Sequence, residues 1–313
     1  MKKQILLTAG LTLLLFGSLK AQKADSIRAK AIYGFTHIKD TTQRDKASSE
    51  QMVLLLGTKT SAYLSMDKIL FDIQRKKDIE EQIRNSVPGK MSINIKSNPK
   101  SITNDEFYQY PAEKKIIIKK RLVNNYLVEE ALPEINWNIS SDTSTISGLK
   151  CQKATAHFKG RDYTAWFCPD LPFQSGPWKL NGLPGLIVEA QDAKKEVVFK
   201  FQGFEKVHNT AAIKEDEPES SIGGVSIGGK VKISGLSSAD LLNSPTFYLP
   251  KGSIKTTQKE FDKLNEAMKK DPDGFINSQM AGEGRITTGQ KTMTRSKFIT
   301  ETVNNPIELP DVK

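Results

Sequence analysis

Two cysteines and three histidines are the side chains whose placement most invites chemistry. Cys151 and Cys168 flank the string CQKATAHFKGRDYTAWFC. If the chain turns at Lys159-Gly160 as a two-residue hairpin loop, residues pair when their numbers sum to 319, which sets Cys151 opposite Cys168. Counted out from the turn this is a non-hydrogen-bonded pair, where the two backbones come closest and a disulfide can span them. Such a bridge contributes ~3 kcal/mol in the chain-entropy model. We therefore expect a structural disulfide, with a reactive thiol as the alternative. The same register puts His157 across from Asp162. Both flank a solvent-washed turn and no nucleophile accompanies them, so the pair reads as a surface contact and no catalytic residue is assigned.

Other chemistries fail on spacing. His37, His157 and His208 are far apart and show neither HxH nor HExxH spacing, so no metal site and no cofactor is expected. GVSIGGK, from Gly224 to Lys230, fills seven places of a phosphate-binding loop, but Val231 stands where a magnesium-holding Ser or Thr belongs. Trp137, Trp166 and Trp178 are candidates for an aromatic binding platform, yet large aromatics on strands read first as core. KKIIIKKR, from Lys114 to Arg121, has an aliphatic centre and reads as a strand with charged ends, which argues against nucleic-acid binding.

These residues need elements to carry them, and the apolar pattern is mainly strand-like. Strands are expected at 28–37, 51–57, 115–128, 136–140, 150–158, 163–168, 186–191 and 196–205, joined by tight turns that favour antiparallel pairing. A helix is expected from Met66 to just before Pro88, and another over 257–270, where Thr257 and Glu260 form a capping box and Pro272 stops it. GLPGLI, from Gly182 to Ile187, suits a type II turn at Leu183-Pro184-Gly185-Leu186, with a ring of ligand-binding amides as the alternative.

Residues 1–21 have a signal-peptide layout: Lys2 and Lys3, an apolar run from Ile5 to Leu19, and a small residue at Ala21. The expectation is an exported protein, periplasmic, outer-membrane associated or secreted, with no transmembrane segment after cleavage. Its net charge falls from +10 to +7 once the leader's three lysines are gone, which favours anionic surfaces. Residues 22–212 form the main β-rich domain. Residues 213–230 have the acidic and then Gly-Ser-rich composition of a flexible loop or linker. Residues 231–313 form a C-terminal extension with one helix and a poorly ordered tail, NNPIELP at Asn304 to Pro310 being the exception.

Cys151 to Asp192 resembles the signature of the GLPGLI family: KAT…F.GR…AWF, GPWK, the hexapeptide itself, and a terminal NPIEL at Asn305 to Leu309. The candidate binding or signature residues are Trp137, Arg161, Trp166, Trp178, Gly182, Pro184 and Gly185. The resemblance implies an exported Bacteroidota protein of unestablished activity and supplies no catalytic residues. The expected fold is α+β and mainly β: one large curved antiparallel sheet, similar in pattern to the open half-barrel of LolA-like carriers, with a few helices packed on one side. Three functions follow from this. The first is non-catalytic binding of an envelope protein, peptide, glycan or lipid. The alternatives are a carrier of an acyl chain or other hydrophobic ligand, and a hydrolase using dispersed carboxylates.

Overall fold

The computed structural model describes residues 24–85, 102–207, 237–281 and 303–311. Twelve strands form one sheet: β1 (Ala29–His37), β2 (Ser48–Leu56), β3 (Ser61–Ser65), β4 (Glu106–Tyr110), β5 (Lys115–Arg121) and β6 (Asn125–Ala131), followed by β7 (Asn138–Ile146), β8 (Leu149–Phe158), β9 (Arg161–Cys168), β10 (Leu186–Asp192), β11 (Val197–Lys206) and β12 (Ile254–Thr256). Their order is β12-β6-β5-β4-β3-β2-β1-β11-β10-β9-β8-β7. Every described pairing is antiparallel except β12, which lies parallel beside β6. The sheet is open, with β12 and β7 at its edges.

The two halves of the sheet differ in how they meet solvent, and the sequence says why. Met52 to Leu56 of β2 and all of β3 are buried residue after residue, because both faces are covered. One face of this half carries Val53, Leu55, Leu64, Tyr108 and Ile117. It packs under helix α1 (Met66–Arg84) through Ile69 and under the short helix α2 (Ser237–Asn243) through Leu241. In the other half, β9 alternates buried Arg161, Tyr163, Ala165 and Phe167 with less buried residues, as a strand does when only one face is packed.

The shared core face is concave. Ile116 and Ile118 of β5 fall in the same apolar cluster as Tyr163 and Phe167 of β9, although the strands are far apart in the sheet. The space between them is filled by the crossing that links β9 to β10. There Trp178, Leu180 and Leu183 are all buried, and Trp178 packs against Phe158 and Tyr163. Side-chain bonds tie the crossing to distant strands: Gln109 donates to the Trp178 carbonyl, Trp137 Nε1 donates to the Asn181 carbonyl, and the Ser175 and Ser61 hydroxyls bond each other.

The expected run 115–128 is two strands rather than one, turned back at Leu122–Asn124. Helix α3 (Gln258–Lys270) has both bonds of the Thr257/Glu260 capping box. Pro272 does end it, but also begins helix α4 (Pro272–Ala281), because a proline at a helix start has no N–H to leave unpaired. The expected leader and the 213–230 linker lie outside the described residues. No described helix is long and apolar enough to cross a membrane.

Candidate functional site

The β8–β9 hairpin turns at Lys159 and Gly160, with φ of 52° and 68°. Two consecutive positive φ values are the signature of a type I′ turn, which fixes the register. His157 accordingly faces Asp162 and Phe158 faces Arg161. The Arg161 side chain points to the core face at the end of the sheet, where β1, β10 and β11 also terminate or begin.

Arg161 is 4% exposed and uses all five of its N–H donors' directions. Nη1 donates to Asp192 Oδ2 at 2.8 Å and to Glu196 Oε2 at 3.3 Å. Nη2 donates to Asn305 Oδ1 and to the Pro306 carbonyl, both at 2.7 Å, and Nε donates to the Ile307 carbonyl at 3.0 Å. The guanidinium therefore joins the sheet to a segment near the C-terminus, residues 303–311, which lies across the sheet end as a strap. Asp192 holds its place by accepting the Glu196 and Val197 amides with its other oxygen, closing the β10–β11 turn.

Asn305 is the strap's anchor and is itself 4% exposed. Its amide group donates to the Ile38 carbonyl and to Glu196 Oε2, and its N–H donates to the Lys39 carbonyl. Its own carbonyl is 2.8 Å from His37 Nε2, so that imidazole nitrogen must carry the proton. Pro306 has no N–H to satisfy, and Ile307 packs on the main core. Glu308 reaches Lys179 at 2.7 Å and Lys159 at 3.1 Å, and the Leu309 N–H donates to the Lys159 carbonyl. Gly160 donates its N–H to Asp311 and abuts Leu309 so closely that a Cβ there would stand 2.6 Å from the Leu309 carbonyl oxygen.

Electrostatics follow from these contacts. Burial opposes ionisation of Glu196, but bonds from Arg44, Arg161 and Asn305 outweigh it and hold the carboxyl below its usual range. Glu308 is depressed in the same way: burial opposes, and Lys179 and Lys159 prevail. Burial lowers the His37 pKa, and the Arg161 charge adds to that, so the ring is held neutral. Everything charged here has a partner, which is what a buried ion cluster needs to persist.

The remaining expected residues are scattered over the fold. Trp178 is inside, Trp137 sits half-buried at the rim of the core, and Trp166 projects from the opposite face of β9, beside Lys153 and Glu189. They form no common platform. Cys151 and Cys168 are both buried and carry free thiols. Burial, then the neighbouring Cys168, pushes the Cys151 thiol up to about 11, which suits an inert thiol rather than a nucleophile. His157 bonds Asp162 at 2.7 Å on the exposed surface. Among the described residues no group of three or more His, Cys, Asp or Glu is arranged to hold a metal ion.

The hexapeptide is a turn of a different kind from the one expected. The Gly185 N–H bonds the Leu183 carbonyl, a three-residue turn centred on Pro184, whose fixed φ suits it. Gly185 has φ of 154°, and a Cβ there would overlap the Cys168 carbonyl. The Leu186 and Ile187 amides go to the Leu171 and Ser175 carbonyls, so these N–H groups are consumed within the fold. The sequence marks Arg161 as a signature residue, but not its bonds to Asp192, Glu196 and Asn305, nor the bond of His37 to the Asn305 carbonyl. The one available signal was the NPIEL string.

Residues 157–189 match the family model described as "Protein of unknown function (Porph_ging)", an uncharacterised family. No curated protein matches the chain. Among solved structures, the chain is similar to PNGF-II in two crystal forms. In the C2 form the identity is 11% and the TM-score 0.44, over 76% of this chain and 32% of that one. In the P21 form the identity is 10% and the TM-score 0.40, over 59% and 29%. The chain thus spans about a third of the length of the structures it matches.

Proposed function

We propose that this is an exported cell-envelope protein of the GLPGLI type that binds an extended polypeptide without catalysing a reaction on it. The observation that carries this reading is the Arg161 cradle. One end of the sheet is shaped, charged and hydrogen-bonded to hold an Asn-Pro-Ile-Glu segment, with an amide, an aliphatic side chain and a carboxylate each received separately. A peptide is what such a row of carbonyl, guanidinium and ammonium groups recognises. The filled concave face weighs against an acyl carrier, since Trp178, Leu180 and Leu183 occupy the volume a lipid tail would need. The paired state of Asp192, Glu196 and Glu308 weighs against a hydrolase, which needs a carboxylate left free to take or give a proton. Export and signal cleavage after Ala21 belong to the same reading, as does a Cys151–Cys168 disulfide formed in an oxidising compartment.

Native mass spectrometry of the protein purified from its own envelope tests this. A bound polypeptide is expected. A co-purifying acyl-chain lipid would favour the carrier instead, and turnover of an envelope polymer in a parallel assay would overturn the non-catalytic view.

A further inference from the structure

The cradle is built from residues remote from the strap in sequence: Lys39 after β1, Lys159 to Arg161 at the hairpin tip, Lys179 in the crossing, and Asp192 and Glu196 around the β10–β11 turn. The strap is equally self-contained. Between Ala281, the end of α4, and Val303 lie 21 residues, which when extended reach at most ~70 Å. The bonds between cradle and strap all end on strap residues 304–311, so these bonds are themselves indifferent to which chain delivers the strap.

Resting on the reading of this site as a peptide cradle, we infer that it also accepts the C-terminal segment of a second copy of this chain, so that copies are joined by exchanged straps. Exchange of an identical element is a low-cost route to association, because it re-forms contacts already optimised within one chain. In the intact protein the chain's own strap has the advantage of tethering, equivalent to an effective concentration of roughly millimolar. Exchange therefore shows itself when the internal strap is handicapped or the protein is concentrated, as at a crowded surface.

Two full-length variants separate donor from acceptor. Gly160→Asn blocks the cradle, because any side chain there meets Leu309, while Asn tolerates the positive φ of the turn. Asn305→Ala keeps the cradle but removes the strap's anchoring amide. Each variant alone is expected to be monomeric. Mixed one to one at tens of micromolar, they should form a heterodimer by native mass spectrometry, at least tenfold over either homodimer. If the mixture stays monomeric while a synthetic peptide of residues 303–313 binds the Asn305→Ala chain, exchange is wrong and the peptide cradle stands. If the peptide does not bind either, the cradle reading itself falls. Should circular dichroism show Gly160→Asn unfolded, excess wild-type chain replaces it as donor near millimolar concentration, where absence of the heterodimer overturns the proposal.

Discussion

Replacing Arg161 with Met would remove the guanidinium while keeping much of its apolar bulk. Two costs follow from the structure. Asp192, 3% exposed, and Glu196, 4% exposed, lose their shared cation. Breaking a buried pair from one side typically costs about 3–5 kcal/mol. Glu196 keeps Arg44 and Asn305, and Asp192 keeps two backbone amides, which argues for the lower end of that range. The strap loses three bonds, to Asn305, Pro306 and Ile307, and the first of these fixes its anchor. Thermal unfolding should fall by roughly 6–12 °C for a protein of this size, at about 2–4 °C per kcal/mol. Limited proteolysis should at the same time cut within residues 303–311, where the parent chain resists. Arg161→Lys retains the charge but not the planar fork, so it should rescue part of the unfolding temperature while leaving the strap cleavable. A Met variant that lost stability with its strap still protected would refute the claim that this guanidinium holds the segment.

Three other outcomes follow. Gly185→Ala should cost on the order of 2 kcal/mol or more in denaturant unfolding, since Ala disfavours that φ and its methyl meets the Cys168 carbonyl; an unchanged midpoint would contradict the turn. Strap protection from amide exchange should be greatest above the ordinary imidazole range near 6.5, because the fold holds His37 neutral and an unfolded chain takes that proton first. It should fall as pH drops from 6.5 through the lowered His37 value, and again below 4.5 through the depressed carboxyls of Glu196 and Glu308. The raised His157 pKa works in the opposite sense at Asp311, but that pair is exposed and weakly felt. Oxidation of Cys151 and Cys168 should raise stability by ~3 kcal/mol over the reduced protein, read by unfolding with and without reductant, and a Cys151→Ala/Cys168→Ala protein should not respond.

What could be read from the sequence was local. A two-residue turn fixes the β8–β9 register by counting, and Thr257 and Glu260 fix a helix start, because each depends on residues a few places apart. Strands β3 and β4 went unread because SAYLS and EFYQY are short and buried on both faces, so no alternation marks them. In Lys115 to Val128 the continuous apolar content concealed a hairpin whose only mark is Asn124 beside Asn125. The GLPGLI turn was located correctly, but its type depends on where the Leu186 amide goes, and its partner Leu171 sits at the far end of a proline-rich crossing. The cradle was hardest, since Arg161 gathers groups from the β10–β11 turn and the chain's last ten residues, and Asn305 in turn reaches the end of β1. Long-range convergence of that sort leaves no period in a sequence; here its one trace is the string NPIEL at Asn305 to Leu309.

The account turns on the strap being seated in the cradle, and amide hydrogen exchange of residues 304–309 measures that most directly. In the parent protein the Asn304, Asn305 and Leu309 amides, bonded to the Lys39 and Lys159 carbonyls, should exchange slowly. In Gly160→Asn they should exchange at the rate of an open chain, with the Tyr163 to Phe167 amides of β9 unchanged. Fast exchange at all three in the parent protein, or slow exchange persisting in Gly160→Asn, would contradict it.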